Sequence, residues 1–347
     1  MTKVGIVGIG FMGMIHFLSY RRVKGAKVVA ICEQDKTRLA GDWRSIKGNF
    51  GPQGEMMDLS GIARYESVEA LVADKNVELV DICLPTAAHP ATAIKALAAG
   101  KHVFCEKPIA LTTTDAKKMV AAAEKAKKQL AIGHVLPYFA EFSFVLKAAT
   151  SRKYGKLFGG NFKRITADPL WLKNYYDPKI IGGPLLDLHI HDAHFIRLLF
   201  GMPQAVFSVG RMRGEVVEFF NSTFVYSDRS LAVTATSGAI NQQGRSFTHA
   251  FEVHFEKATV LYDMAVVDGK TEMPMPLTVL RHDGKVERPQ LAAGDATDAY
   301  VAEIQEVLKC IRSGKPSAIL SGDLARDAVV LCQKQAESVA NGRVVKV

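Results

Sequence analysis

Three glycines near the amino terminus constrain the fold of this chain more than any other feature of its sequence. Gly8, Gly10 and Gly13 follow a short apolar strand pattern at residues 3–7 and open a helical pattern. Glycines at this spacing let the backbone approach a pyrophosphate, and the N-terminus of the helix offers unpaired N–H groups to it. The order of strand, glycine loop and helix therefore predicts a dinucleotide-binding unit, against the simpler interpretation of a glycine-rich turn without a ligand.

An acidic residue at the end of the next strand pattern indicates which dinucleotide is bound. That pattern, at residues 27–32, ends before Glu33, which lies 20 positions after Gly13. An acid at about this distance accepts hydrogen bonds from the ribose hydroxyls, and it repels a 2′-phosphate. We therefore expect NAD as the cofactor, with NADP as the alternative because Lys36 and Arg38 follow closely.

The alternation of strands and helices continues to about residue 135 and then stops. Up to that point it predicts a Rossmann-type parallel sheet with helices on both faces, over residues 1–135. Beyond it, strand patterns follow one another without intervening helices, at residues 205–211, 219–226, 231–237, 247–255 and 259–263. We therefore predict an α/β chain whose second domain, residues 136–347, is an α+β domain with a large open, mostly antiparallel sheet.

The composition argues against several classes of partner. The formal net charge of +9 comes from 44 Lys and Arg against 35 Asp and Glu, and these basic residues are spread along the chain. Their densest group, within residues 117–128, lies on an amphipathic helix pattern as a solvated face, so we expect no nucleic-acid partner. Five cysteines without a C-x-x-C pair, no signal peptide and no long apolar stretch indicate a cytoplasmic protein without a membrane partner.

The triplet Glu106-Lys107-Pro108 is the first candidate for chemistry. It follows directly on a strand pattern, and catalytic residues of parallel sheets lie at the carboxyl ends of the strands. A solvated lysine in a turn is an equally good interpretation of Lys107 from the residues alone.

The pair Asp187 and His191 is the second candidate. The two residues lie four positions apart in a helix pattern at residues 187–200, and positions i and i+4 share one helix face. A carboxylate beside an imidazole suits general acid–base chemistry. A metal site is the competing interpretation, because His-x-His on a strand points both imidazoles the same way. On a helix His189 diverges, so we expect no metal, and we interpret His189 and His194 as structural histidines or as substrate contacts.

Aromatic residues precede this segment. Trp171, Tyr175 and Tyr176 lie in a predicted loop ahead of the helix pattern. Aromatic rings line pockets for sugars and other polyols, and they are equally common in protein cores.

In this order, these pieces resemble the Gfo/Idh/MocA family of nicotinamide-dependent oxidoreductases, the family of glucose–fructose oxidoreductase and inositol dehydrogenase. The resemblance covers nearly the whole chain. It rests on the glycine fingerprint with His16 after it, Pro85-Thr86 with His89, residues 99–108, Gly133-His134, residues 182–194 and residues 311–316.

The resemblance implies an enzyme with a defined set of site residues. The implied cofactor contacts are Gly8, Gly10, Phe11, Met12, Gly13, Glu33, Pro85, Thr86, His89, Glu106 and Lys107. The implied substrate contacts are Lys107, His134, Trp171, Tyr175, Asp187, His189 and His191.

The implied activity is NAD-dependent oxidation of a hydroxyl group of a sugar, polyol or cyclitol. His191 is then the general acid or base, Lys107 polarises the reacting hydroxyl, and Asp187 orients substrate and histidine; in some members the lysine transfers the proton. Members commonly form homodimers or homotetramers through the C-terminal sheet. Departures from the usual pattern border the implied substrate pocket, and they are Pro137, Pro184, His189 and His194.

Two other functions are compatible with the same family. Some members use NAD transiently to cleave a glycoside, which would make the chain a redox-assisted glycosidase or lyase. Others are non-enzymatic sensors or regulators, which we expect to lose the catalytic residues. This chain keeps Lys107, Asp187 and His191, so the sequence favours an enzyme.

Overall fold

The computed structural model describes residues 1–48, 50–291, 294–295 and 297–347. They form two compact units, Met1–Phe139 with Ala293–Arg326, and Ala140–Ala292 with Asp327–Val347. Within the described ranges no helix is both long enough and apolar enough to cross a membrane.

The first unit contains a six-stranded parallel sheet, as the alternating patterns predict. Its strands are β1 (Thr2–Val7), β2 (Ala26–Cys32), β3 (Ala63–Tyr65), β4 (Leu79–Ile82), β5 (His102–Glu106) and β6 (Leu130–Gly133). They run in the order β3-β2-β1-β4-β5-β6, and every neighbouring pair is parallel. This is the sheet of a Rossmann fold.

The register of this sheet aligns the carboxyl ends of its central strands. Val7 pairs with Cys32 and with Ile82, and Ile82 pairs with Cys105. The residues that follow these ends therefore lie along one edge of the sheet, and they include the glycine loop, Glu33, Lys107 and His134.

The helices of this part of the chain connect the strands. They are α1 (Phe11–Arg22), α2 (Lys36–Leu39), α3 (Val68–Ala73), α4 (His89–Ala98) and α5 (Thr113–Ala126). The sequence patterns predict α1, α4 and α5 but not α2, α3 or β3. These three elements are only four, six and three residues long, which is too short for a periodic pattern.

The second unit begins with a helix and a strand and continues into a run of strands. Its elements are α6 (Ala140–Thr150), β7 (Leu157–Ala167), α7 (Gly183–Asp187), α8 (Ile190–Phe200), β8 (Ala205–Arg213), β9 (Val216–Val225), β10 (Ala232–Ile240), β11 (Arg245–Phe255), β12 (Ala258–Val267), β13 (Lys270–Arg281) and β14 (Val286–Glu287). The chain closes with α9 (Asp298–Ser313), α10 (Gly322–Asn341) and β15 (Val345–Lys346).

The nine-stranded sheet of this unit confirms the prediction of a large, mostly antiparallel sheet. Its order is β14-β13-β12-β11-β7-β10-β9-β8-β15, and only β7 and β10 pair in parallel. Strand β13 was not predicted. Its first seven residues are exposed and include Pro274 and Pro276, so it has neither the apolar alternation nor the composition of an inner strand.

Helix α8 is anchored to the sheet of the second unit by charge and by aromatic packing. Arg164 of β7 donates two hydrogen bonds to Asp192 of α8, at 2.7 and 3.1 Å, and both side chains are buried. Phe195 of α8 packs edge-on against Phe142 of α6 at 5.2 Å between ring centroids, and Phe142 packs in turn against Phe251 of β11. These contacts fix the orientation of α8 within this unit.

Helix α9 belongs to the first unit, whereas the prediction assigned residues 136–347 to one second domain. Arg22 of α1 donates a hydrogen bond to Thr297 at 2.6 Å and forms an ion pair with Asp298. Ile304 and Leu308 of α9 lie in the core of the first unit. The amphipathic pattern of α9 shows that one face is covered, but it does not show which sheet covers it.

Candidate active site

Each of the three glycines in the loop meets a different steric requirement.

 A Cβ on Gly13 would lie 2.0 Å from the carbonyl oxygen of Gly8, so helix α1 can pack on β1 only with glycine there. Gly8 has a φ of +90°, a conformation that favours glycine. Among the described residues, a Cβ on Gly10 would meet no atom within 4 Å, so the loop is open there at the N-terminus of α1.

Glu33 is held beside this loop by backbone donors. Its Oε2 accepts a hydrogen bond from the N–H of Ile9 at 2.7 Å. Its Oε1 accepts from the N–H groups of Gln34 and Asp35, at 2.7 and 2.9 Å. The carboxylate is therefore fixed at the edge of the glycine loop, with part of its acceptor capacity left for ribose hydroxyls. The loop and Glu33 together fit a dinucleotide with an unmodified ribose.

Lys107 lies immediately after β5, at the carboxyl edge of the parallel sheet. Its side chain is half-buried, and its backbone N–H donates to Oε2 of Glu106 at 3.0 Å. The peptide bond between Lys107 and Pro108 is cis. The lysine is therefore on the edge of the sheet that also carries the glycine loop.

A buried imidazole holds the other carboxylate oxygen of Glu106. His16 of α1 is fully buried, and its Nε2 lies 3.0 Å from Oε1 of Glu106. Its Nδ1 lies 2.9 Å from Oδ2 of Asp81, which is also fully buried. Burial by itself would lower the pKa of His16, but the Asp81 carboxylate and the neighbouring Cys83 raise this pKa well above its ordinary value. Both ring nitrogens therefore face carboxylate oxygens, an arrangement that favours the protonated ring.

The sequence identified His16 only as part of the resemblance, and it did not identify Asp81 at all. A signal was present, because Asp81 is a charged residue inside the apolar strand pattern at residues 79–84. Such a residue in a buried strand requires a partner. The sequence does not say which side chain from another element provides it.

His89 connects two loops at the same edge of the sheet. It is buried, with Nε2 at 2.7 Å from the carbonyl oxygen of Leu84 and Nδ1 at 2.9 Å from that of Pro108. Burial lowers its pKa, against the opposing effect of these two hydrogen bonds. Pro85 and Thr86 lie between Leu84 and His89, in the loop that the ring supports.

The predicted single helix over residues 187–200 is wrong, because the structure divides it into α7 and α8. The carbonyl oxygen of Pro184 accepts hydrogen bonds from both Leu188 N–H and His189 N–H, at 3.0 and 2.9 Å. The hydrogen-bond register therefore slips by one residue at this point, as in a π-type turn. Asp187 ends α7, and His191 lies in the first turn of α8. Asp187 and His191 therefore belong to two different helices, and their spacing of four residues does not place them on one helix face.

Tyr175 lies in the loop before α7 and is hydrogen-bonded to the first residue of that helix. Its carbonyl oxygen accepts a hydrogen bond from Gly183 N–H at 2.9 Å. Burial raises the pKa of Tyr175, and the charge of Asp187 raises it further. Trp171 of the same loop is 67% exposed and extends towards solvent.

His189, His194 and His134 are fully buried. His189 packs against Phe220 at 4.9 Å, its Nε2 lies 3.1 Å from the Gln335 amide nitrogen, and burial lowers its pKa to about 4. These contacts are those of a packed histidine, and the substrate contact predicted for His189 stays a prediction.

An open pocket of about 640 Å³ lies in the second unit, lined mainly by the loop of residues 168–179. Arg213 forms part of its wall, with its guanidinium 4.1 Å from the ring centroid of Tyr176 and an ion pair to Asp168 at 2.6 Å. The Tyr176 hydroxyl donates to the same carboxylate at 3.0 Å. The sequence did not predict Asp168 or Arg213, because their 45-residue separation shows no pattern.

The sequence predicts no metal site. Among the described residues, His16, Asp81 and Cys83 present possible ligand atoms within 4.8 Å of one another. The Cys83 sulfur is 3.5 Å from Nδ1 of His16, and burial raises the pKa of its thiol to about 12. The spacing of the three side chains is that of a hydrogen-bonded group, with the Cys83 sulfur also 3.6 Å from Oδ1 of Asp81.

The parallel sheet, the glycine loop and the fixed Glu33 define an NAD-binding oxidoreductase of the Rossmann class. The model of the oxidoreductase family with an NAD-binding Rossmann fold matches residues 2–134, and that of the GFO/IDH/MocA C-terminal domain matches residues 145–261. The chain belongs to the Gfo/Idh/MocA family, as its sequence motifs predict.

The similarity to known proteins extends over nearly the whole chain. Myo-inositol 2-dehydrogenase of Thermotoga maritima is 26% identical over 354 residues, covering 99% of this chain and 98% of that protein. The 1,5-anhydro-D-fructose reductase of Ensifer adhaerens is 28% identical over 328 residues, covering 92% and 91%. The structure of levoglucosan dehydrogenase with NADH and levoglucosan superposes with a TM-score of 0.79 at 19% identity, covering 100% and 99%. This last likeness concerns the fold.

Proposed function

We propose that this NAD-dependent oxidoreductase acts on a hydroxyl group of a sugar, polyol or cyclitol. The observation that carries the proposal is the position of Lys107, which follows β5 on the edge of the sheet that also carries the glycine loop. A cation at that edge suits a reaction in which a hydroxyl loses its proton and its carbon loses a hydride. The relatives named as inositol and anhydrofructose enzymes support the substrate class.

The proposal assigns three residues to the reaction. NAD, when bound, accepts the hydride at its nicotinamide ring. His191 accepts the hydroxyl proton, and the Lys107 ammonium stabilises the negative charge that develops on the oxygen. Asp187 orients the substrate and His191. The fixed orientation of α8, which carries His191, supports these roles, because proton transfer requires groups that are held in place.

Cofactor binding is assigned to the loop and the strand ends of the first unit. The N-terminus of α1 would hold the pyrophosphate, and Glu33 would accept hydrogen bonds from the ribose. Phe11 and Met12 begin α1 and border the loop. The segments of Pro85, Thr86 and Glu106 at neighbouring strand ends complete the proposed contacts.

A substrate panel tests the proposal. Purified protein is incubated with inositols, aldoses, anhydrosugars and polyols, each with NAD and with NADP, and reduction is followed at the nicotinamide absorbance. We expect reduction of NAD by at least one member of the panel, with NADP used far less well because of Glu33. No reduction of either cofactor by any member, in protein shown to bind NAD, would contradict the proposed function.

We also propose that two copies of the chain associate through the nine-stranded sheet. Large apolar side chains are exposed along its strands β8 and β9, and they are Phe207, Val209, Met212 and Val225. Exposed apolar residues on neighbouring strands are typical of an interface. Light scattering after gel filtration should show a dimer or tetramer, and Val209→Glu should dissociate it.

A cytoplasmic location is part of the proposal. All five cysteines are free thiols, and four of them are buried. Free cysteines in this number suit a reducing compartment. Fractionation of cells that produce the chain should recover it with the cytoplasmic enzymes rather than with secreted proteins.

A further inference from the structure

His16 has an arrangement that the reaction proposed above does not use. It lies on α1, and its fully buried ring is stacked on Phe104 at 5.2 Å with an interplanar angle of 9°. One ring nitrogen faces Asp81 of β4 and the other faces Glu106 of β5. A carboxylate oxygen accepts and does not donate, so an imidazole that satisfies both carboxylates must donate from both nitrogens.

Glu106 transmits this contact to the next residue along the chain. Its Oε1 lies 3.0 Å from His16, and its Oε2 accepts the backbone N–H of Lys107 at 3.0 Å. Gly133 of β6 leaves room for the carboxylate, since a Cβ there would approach Oε1 to 3.2 Å. The carboxylate is thus held on both oxygens, and the adjacent residue, Gly133, has no side chain to displace it.

The charges around His16 are compatible with one imidazolium. Asp81 and Glu106 face it directly, and Glu303 of α9 is fully buried nearby. Burial and the charge of Glu106 raise the pKa of Glu303 well above its ordinary value, which favours its neutral form. The titratable groups that interact with His16 from the packed elements are Asp81, Cys83, Cys105, Glu106, Tyr300 and Glu303. Tyr20 lies one turn further along α1 and interacts with Asp81.

We propose that His16 is a positioning residue for Lys107, which it holds at the carboxyl end of β5 through the side chain of Glu106. The proposal rests on the function proposed above in one respect, the role of Lys107 in the reaction. His16 does not touch the reacting atoms. It holds a charged hydrogen bond to Glu106, and charged hydrogen bonds in a dry core are stronger and more directional than neutral ones.

The first test is the variant His16→Gln, with His102→Gln as the matched control. Glutamine keeps a donor but not the charge, so we expect kcat to fall about 100-fold, as for a catalytic group displaced by about 1 Å. KM for NAD should stay within about twofold, because the N-terminus of α1 remains. His102, at the amino end of β5, should tolerate the change. A general loss of structure would instead raise KM for NAD.

The second test asks whether His16 acts through Lys107. In a Lys107→Ala background, His16→Gln should change the residual kcat by less than about twofold, because the residue it positions is absent. An undiminished effect in that background would overturn the proposal. If Lys107→Ala itself left turnover unchanged, the proposed function would fail instead, and the two failures are therefore distinguishable.

A third measurement does not depend on activity. Nitrogen-15 NMR of the unchanged protein, labelled in its histidine rings, reports the protons on each ring nitrogen. We expect one non-titrating imidazolium between about pH 6 and pH 9, with Glu106→Gln or His16→Gln used for its assignment. A neutral His16 ring in that range, or a stoichiometric metal ion in the purified protein, would overturn the proposal.

Discussion

Replacing Glu303 with methionine should stabilise the protein, and the gain should grow with pH. Glu303 is fully buried on α9, and neither carboxylate oxygen has a hydrogen-bond partner among the described residues. Burial is the main reason that its pKa is raised, and the charges of Glu106 and Asp81 add to it. Methionine has a similar length and no polar group, so Glu303→Met removes an unsatisfied group without leaving a large cavity.

The sign and size of the change in the free energy of unfolding follow from proton linkage. A glutamate titrates near about pH 4.3 in the unfolded chain, whereas Glu303 stays protonated in the folded chain to a higher pH. The stability that protonated Glu303 contributes is fully present below its pKa in the unfolded chain. This stability is lost as the pH rises through its pKa in the folded chain, by up to about 1.4 kcal/mol per pH unit. Near neutral pH, Glu303→Met should therefore raise the free energy of unfolding by about 1–3 kcal/mol.

Urea unfolding followed by circular dichroism measures this difference at several pH values between about pH 5 and pH 8. The matched control is Glu124→Met, at an exposed position of α5, which should change stability by less than about 0.5 kcal/mol at any pH. A Glu303→Met protein that is less stable than the unchanged chain, by an amount independent of pH, would refute the reasoning.

Three further predictions concern the loop, the ribose contact and α8. Gly13→Ala should abolish NAD binding in a titration followed by nicotinamide fluorescence, because its Cβ would lie 2.0 Å from the Gly8 carbonyl oxygen. Glu33→Ser should raise KM for NAD by about tenfold or more and reduce the preference for NAD over NADP, because the fixed carboxylate is lost. Asp192→Ala should lower the free energy of unfolding by about 3–5 kcal/mol in urea titrations, because it leaves the buried Arg164 charge unpaired.

The features that the sequence predicts correctly depend on local signals. The strand before Gly8 and the helix after it follow from apolar periodicity and glycine chemistry, and Glu33 follows from its distance along the chain. The parallel sheet itself, though not the order of its strands, follows from alternating strands and helices. The same alternation places Lys107, which follows β5, at the edge of the sheet that carries the glycine loop.

The features that the sequence does not predict depend on contacts between distant elements. The break before α8 arises because Pro184 accepts two hydrogen bonds, and residues 187–200 still have helical periodicity across it. The assignment of α9 to the first unit depends on Arg22 and on core residues far along the chain. His16 and Asp81 lie 65 positions apart, and only the fold brings them together.

The central claim is that Lys107 serves the chemical step rather than cofactor binding, and Lys107→Ala tests it most directly. NAD affinity and turnover are measured side by side on a substrate from the panel, with Lys117→Ala, on the exposed face of α5, as the control for a lost charge. The account predicts that kcat falls by at least about 100-fold while the Kd for NAD changes by less than about threefold. Unchanged turnover, or a loss explained wholly by weaker NAD binding, would contradict it.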